Sequence, residues 1–292
     1  MGDFIEDSIE ALKFGFSWYK DPENIKSYVA FVIAYVVVFA AVIAAIGIPL
    51  FKSISNPSIM TRPELSPAFF LWMAMALITI SVLFWVFQMF VIAPVMVRGM
   101  NSLGITAKFP DSNKILGALL LSIIVAFKSV FCWYDKRWLA ALFLAIILPI
   151  LNRVLIIFSV LVFFAYIFAV IYYSIRLWFS LFVYFSRENV GYSEATDTSF
   201  ALTSGHVIGV FARNLIAGFF AGVIIGLLAL VPSLILGAID YLIGFPLFQK
   251  LFDAVIAPIQ VFTGLYIQAY IYSSVLQWNK IRAGPEPIKR GK

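Results

Sequence analysis

Cysteine and histidine occur once each in this chain of 292 residues, as Cys132 and His206. A single thiol forms no intramolecular disulfide. With one imidazole beside it, neither a thiolate–histidine zinc cluster nor a Cys–His nucleophile can be assembled. Charge is equally scarce: 12% of the residues are Asp, Glu, Lys or Arg, against about 25% in soluble proteins. No carboxylate falls in the middle of an apolar run, where a proton relay or a Na⁺ ligand would sit. There is no glycine-rich phosphate loop ending in Lys-Ser or Lys-Thr. Lys128 and Ser129 are adjacent and therefore point to different helix faces, which makes them a poor dyad. Basic residues do not alternate with aromatics in any polar segment, so nucleic acid is not an expected partner. The expectation is a protein with no catalytic residues, no cofactor and no metal.

What the chain has in abundance is apolar length. Hydrophobic residues make up 63% of it, mean hydropathy is +0.99, and several runs exceed the roughly 18 residues that span a bilayer. Aromatics at 17% suit lipid-facing surfaces and interfacial belts. The net charge of +6 owes much to the basic tail "KIRAGPEPIKRGK", which reads as the cytoplasmic flank of a span. The acidic start lacks the basic region of a cleavable signal peptide. Glu6 stands where a myristoylation motif requires Ser or Thr.

The fold expected is an all-α polytopic membrane bundle with an N-terminal amphipathic helix, as one membrane domain. Residues 1–27 form the amphipathic segment, 28–278 the bundle and 279–292 the basic tail. In the first segment Ile5, Ile9, Leu12, Phe16 and Tyr19 recur at helical spacing, with Glu6, Asp7, Glu10 and Lys13 elsewhere. Its acidic polar face points to docking on the protein's own cytoplasmic face as much as on headgroups. Spans are expected over Tyr28–Leu50, Ala68–Val97 and Ile115–Phe131, the last with Lys128 placed to snorkel to the interface. Two more cover Val207–Leu236 and Ala254–Trp278. Between them, Leu139–Phe185 is interrupted only by Pro149, Asn152 and Arg153. It reads either as one long bent helix preceded by a partly inserted piece, or as two crossings. Six crossings in total place more of the 21 Lys and Arg on inner flanks than seven do, which favours six with both termini on the cytoplasmic side of a plasma membrane.

One stretch breaks the apolar pattern. "GYSEATDTSFALTSGH", Gly191 to His206, contains no Val or Ile and one Leu. Gly191 ends the preceding helix, Ser193 can cap a new one, and Glu194 and Asp197 lie near its positive end. The reading is a helical elbow over residues 192–203 between two spans. His206 is expected to solvate or bond at the helix start.

The run "RLWFSLFVYFSRENVGYSEATDTSFALTSGHVIGVFARNL" resembles a signature of uncharacterised polytopic membrane proteins. That group includes YciC-like proteins and the membrane domain of some glycerophosphodiester phosphodiesterases. "SIEALKFGFSWYKDPENIKSYV" is similar to the start of an archaeal and bacterial domain family of unknown function with an "EALKYPF"-like helix, and "VRGMNSLGITAKFPD" resembles its Arg-Gly loop. Phe109-Pro110 stands here where that loop has Leu-Pro, and the Trp that follows there is absent. The resemblance implies a six-helix fold in a prokaryotic membrane and no agreed activity; the phosphodiesterase domain of the fused proteins is a separate one.

Two residue sets stand out within the spans. Gly218, Gly222 and Gly226 repeat at small-xxx-small spacing, which suits close helix packing inside the chain or a homodimer seam. Gln88, Asn152, Arg153, Gln260 and Gln268 are polar groups at membrane depth. They read as interhelical hydrogen-bonding groups, or as the lining of a small hydrated cavity. The function expected is that of a non-catalytic accessory or scaffold acting through membrane lipids or a protein partner, the alternative being a carrier or channel for a small solute or lipid.

Overall fold

The computed structural model describes residues 2–42, 44, 67–151, 155–244 and 247–283. Asn152, Arg153 and the tail beyond residue 283 lie outside them. Regular structure among the described residues is entirely helical. The chain runs through α1 (Gly2–Gly15), a 3₁₀ turn (Phe16–Lys20), α2 (Pro22–Val42), α3 (Pro67–Ser102) and α4 (Ser112–Val130). It continues through α5 (Arg137–Leu151), α6 (Ile156–Arg176), α7 (Ser180–Ser186), α8 (Tyr192–Leu202), α9 (Val207–Ile243) and α10 (Leu247–Ala283).

Six helical stretches are long and apolar enough to cross a membrane: Pro22–Val42, Met73–Ser102, Ser112–Val130, Ile156–Ser186, Val207–Ile243 and Leu247–Asn279. The chain is an all-α, multi-pass membrane protein. The ambiguous region divides into α5 and α6. With 15 residues, α5 extends about 22 Å, short of the roughly 30 Å hydrocarbon core. It packs along α6, where the Ser159 hydroxyl donates to the Ala145 carbonyl.

Two compact units divide the chain. One contains residues 1–15, 96–219 and 265–292, the other residues 16–95 and 220–264.

In the first unit α1 lies on the C-terminal part of α10 and the start of α9. Ser8, Ala11 and Gly15 are buried, and small side chains let the backbone approach closely. Phe14 stacks on Tyr266 at 5.2 Å between ring centroids. Asp7 accepts from Arg213 at 2.9 Å, and Glu10 accepts from the Tyr270 hydroxyl at 2.7 Å. Part of the acidic face therefore turns toward the protein. The start of the stripe read as the apolar face points away, with Ile5 56% and Ile9 45% exposed, while Leu12 and Phe16 are half-buried. An ion pair, a ring stack and a tyrosine hydrogen bond hold the docking face, and apolar periodicity alone does not show them.

In the same unit, α4 starts on an N-cap: the Asp111 carboxylate accepts the Lys114 N–H at 2.7 Å. It ends in a tight turn where Cys132 takes a left-handed φ of 46°, uncommon for a residue with a Cβ. Cys132 is buried with Tyr166, Ala169 and Tyr173 of α6, and the Tyr166 hydroxyl donates to the Val130 carbonyl. The reversal into α5 is thus held by α6.

The second unit has an aromatic centre. Trp18 donates through Nε1 to Thr263 Oγ1 at 3.2 Å and meets Phe262 edge-on at 5.4 Å. Phe31 lies between Phe262 and Phe84 at 6.2 and 6.1 Å. Buried Asn24 donates to the Trp18 carbonyl at 3.0 Å, and so ties the 3₁₀ turn to the first turn of α2.

Candidate functional site

The polar elbow forms where expected, as α8. Gly191 is its N-cap residue, in extended backbone. Ser193 does not cap it; its hydroxyl donates instead to Asp197 Oδ2 at 3.3 Å. The helix packs against α4, α6 and α7, and hydroxyls at its C-terminal end bond across the junction. Ser199 and Thr203 donate to the Arg176 carbonyl at 3.0 and 3.2 Å, which satisfies an orphan acceptor at the C-terminus of α6. Arg176 returns the contact through Nη2 to the Phe200 carbonyl at 2.6 Å, with its guanidinium 3.4 Å over the Phe200 ring.

The centre of this junction is Lys128. The sequence suggests that it snorkels; the structure encloses it, with 9% of the residue exposed. Its ammonium donates to Thr196 Oγ1 at 2.6 Å, to the Tyr134 hydroxyl at 3.3 Å and to Asp197 Oδ1 at 3.5 Å. Those are three acceptors for three protons. Tyr134 donates to Asp197 Oδ1 at 2.6 Å and stacks on Phe200 at 4.1 Å.

Burial pushes the Tyr134 hydroxyl well above its usual range, and the bond to Asp197 adds to this. For Asp197, burial opposes ionisation, but the Tyr134 hydrogen bond and the Lys128 charge outweigh it and hold the carboxyl below its ordinary value. Across neutral pH the tyrosine keeps its proton and the aspartate its charge. Neither group is poised for acid–base exchange, and the arrangement chemically resembles a lock.

Two further polar residues have structural partners that sequence spacing could not identify. Arg213 sits between the rings of Phe4 and Trp278, at 4.7 and 4.4 Å, and pairs with Asp7. Beside it a cavity of about 310 Å³ is lined by Gly205, His206, Gly209, Arg213 and Trp278. Gly205 closes the elbow at φ +78°, which only glycine adopts without strain. His206 faces the Trp278 ring at 5.2 Å. In the second unit Asp240, 6% exposed, accepts the backbone N–H groups of Phe248 and Gln249 at 2.8 and 2.7 Å. It caps the first turn of α10.

Three of the polar residues singled out at membrane depth fall among the described residues. Gln88 is half-buried on α3, Gln260 exposed on α10 and Gln268 half-buried further along α10. Asn152 and Arg153 lie outside the described residues. Neither the cavity beside His206 nor an apolar groove on α2 and α3 takes in any of these glutamines.

Gly218, Gly222 and Gly226 are exposed, and a Cβ built on any of them meets nothing within 4 Å. The face that α9 buries is the neighbouring one, with Val210, Ala217, Ala221 and Ile225. Replacing all three glycines by alanine is therefore expected to leave the monomer intact and to stabilise it, by up to about 1 kcal/mol per site from helix propensity. A thermal melt in detergent checks this. A melting temperature that falls together with a change in oligomeric state would place a second copy on that face.

No family model, curated protein or solved structure matches this chain.

Proposed function

We propose that this chain is a non-catalytic accessory or scaffold of a prokaryotic cytoplasmic membrane, with both termini on the cytoplasmic side, acting through lipid and protein contacts. One observation carries the reading: the deeply placed charges serve the frame itself. The Lys128 ammonium spends its three protons on Thr196, Tyr134 and Asp197, Asp240 spends both oxygens on the start of α10, and Arg213 is sandwiched and paired. The surface is correspondingly apolar. A groove of about 620 Å³ on α2 and α3 is lined by Ala30, Ile33, Val37, Ile80, Leu83 and Phe87 among others, a shape and chemistry suited to an acyl chain or the flank of another helix.

Native mass spectrometry of the protein in a mild detergent, with stepwise activation, tests the reading. A stoichiometric protein partner or retained lipid is the expected result. The second reading, a carrier, is favoured by the exposed amide of Gln260 in mid-span and would be marked by a retained small solute. It requires that Gln260→Leu with Gln268→Leu abolish transport in proteoliposomes while leaving the melt unchanged. In an accessory protein the same pair changes nothing but stability, and by less than about 0.5 kcal/mol at the exposed site.

A further inference from the structure

The loop before α4 and the turn after α7 border an open cavity of about 400 Å³ unlike the other two. Its lining carries charges of both signs: Lys108 and Lys114, Asp111 and Glu188, with Tyr184 and Asn189 between them. Each charged group is held by a partner and keeps bonding capacity to spare. Lys108 pairs with Glu188 through a single oxygen, Oε1. Lys114 Nζ donates one proton to the Arg187 carbonyl at 3.0 Å and lies 5.7 Å over the Tyr184 ring. Asp111 uses Oδ1 to cap α4. That leaves two N–H protons on either ammonium and one oxygen on either carboxylate. The hydrogen bond between Lys108 and Glu188, with their mutual attraction, holds the lysine above and the glutamate below their ordinary values, so both stay charged around neutrality.

The depth of the cavity is fixed by its walls. One candidate span begins at Ser112 and another ends at Ser186, so the cavity opens where two helices leave the hydrocarbon core, at the level of the headgroups. Phe109, next to Lys108, is 58% exposed and lies against Arg98 at 5.6 Å, an aromatic–cation pairing suited to that layer. Two cations would by themselves favour an anionic lipid. Two carboxylates in the same cavity cancel that preference and call for a ligand that brings its own cation. A primary ammonium offers three N–H donors to such carboxylates, whereas a quaternary one offers none and seeks aromatic faces.

We propose that this cavity binds the headgroup of phosphatidylethanolamine from the surrounding bilayer, the phosphodiester on Lys108 and Lys114 and the ammonium on Asp111 and Glu188. The inference deepens the lipid side of the accessory reading and rests on it only in placing the chain in a bilayer.

The test is a lipid titration of the full-length protein in mild detergent, followed by native mass spectrometry, with phosphatidylethanolamine, phosphatidylglycerol and phosphatidylcholine of matched acyl chains. The wild type is expected to retain phosphatidylethanolamine about fivefold better than either of the others, the scale of one net hydrogen bond in water. Glu188→Gln should erase most of the preference over phosphatidylglycerol, and Lys108→Gln should weaken retention of all three. Both side chains are largely exposed, at 63% and 77%, so neither change threatens the fold. Equal retention of the three lipids, or a preference that Glu188→Gln leaves untouched, overturns the proposal. Saturation by glycerophosphoethanolamine at the same concentrations would also overturn it, by assigning the cavity to a soluble phosphodiester. Unselective lipid adducts would remove the headgroup site and leave the accessory reading standing.

Discussion

Asp197→Ala is expected to cost the folded protein about 2 to 3 kcal/mol, near the lower bound for stranding a buried charge. Lys128→Met, from the other end of the same pair, should cost about 1 kcal/mol, because it strands no buried charge. The asymmetry follows from exposure. The lysine side chain is 11% exposed and the aspartate 56%. Without Asp197 the ammonium stays enclosed with two neutral hydroxyls and no counter-charge. Without Lys128 the carboxylate still has Tyr134, Ser193 and water. The double variant should therefore cost less than the sum of the two single ones, by about 1 kcal/mol of coupling. Thermal melts of the four proteins in one detergent complete the cycle. Additive costs would show that the ion pair does not hold the elbow.

The same carboxylate sets a pH limit. Its folded value is depressed, so its contribution is complete above the unfolded value, near 3.8. It is lost as pH falls from there through the folded value. Melts between neutrality and pH 3 should thus show an acid loss that Asp197→Ala lacks.

Asp240→Ala is the other large effect expected. It leaves two backbone N–H groups at the start of α10 without an acceptor, in a setting where only 6% of the aspartate sees solvent. Loss of an exposed cap costs about 1 kcal/mol, but an unsatisfied donor cut off from water costs about 1 to 3 kcal/mol. About 3 kcal/mol is the expected total. Asp240→Asn keeps one acceptor oxygen and turns an amide toward the second N–H, so it should fall about halfway. Amide exchange at Phe248 and Gln249 reports the effect locally: both should exchange faster in the alanine variant while α9 keeps its protection. Unchanged exchange there would mean that water already serves these donors.

The six spans are legible in the sequence because apolar length is a property of the chain itself, independent of its neighbours. The elbow is legible for the converse reason: sixteen residues almost free of aliphatics cannot extend a span, and Gly191 marks where the helix must break. What the sequence does not reveal is partner choice. Lys128 near a helix end reads as snorkelling until Thr196 and Asp197, some seventy positions away, are brought onto it. Asp7 and Arg213 are 206 residues apart, and no local periodicity could signal that α1 docks through its acids and small residues with Ile5 and Ile9 outward. Asp240 passes for an ordinary residue near a helix end, although the N–H donors it accepts from sit eight and nine positions downstream. Between Leu139 and Phe185, apolar patterning fits a bend or a reversal equally well. The short reach of α5 and its packing on α6 determine the arrangement.

The turn at Cys132 has a practical consequence. The only sulfhydryl of the chain is sealed at 0% exposure, and burial, with the Asp135 carboxylate beside it, pushes it above its ordinary value, so maleimides should find almost no thiolate to attack. The natural protein therefore behaves as if it were cysteine-free, and a new thiol can be introduced at any surface position and tagged there alone. Residue 132, meanwhile, acts as a silent clock: the rate at which it becomes reactive counts how often the seam between α4 and α6 comes apart.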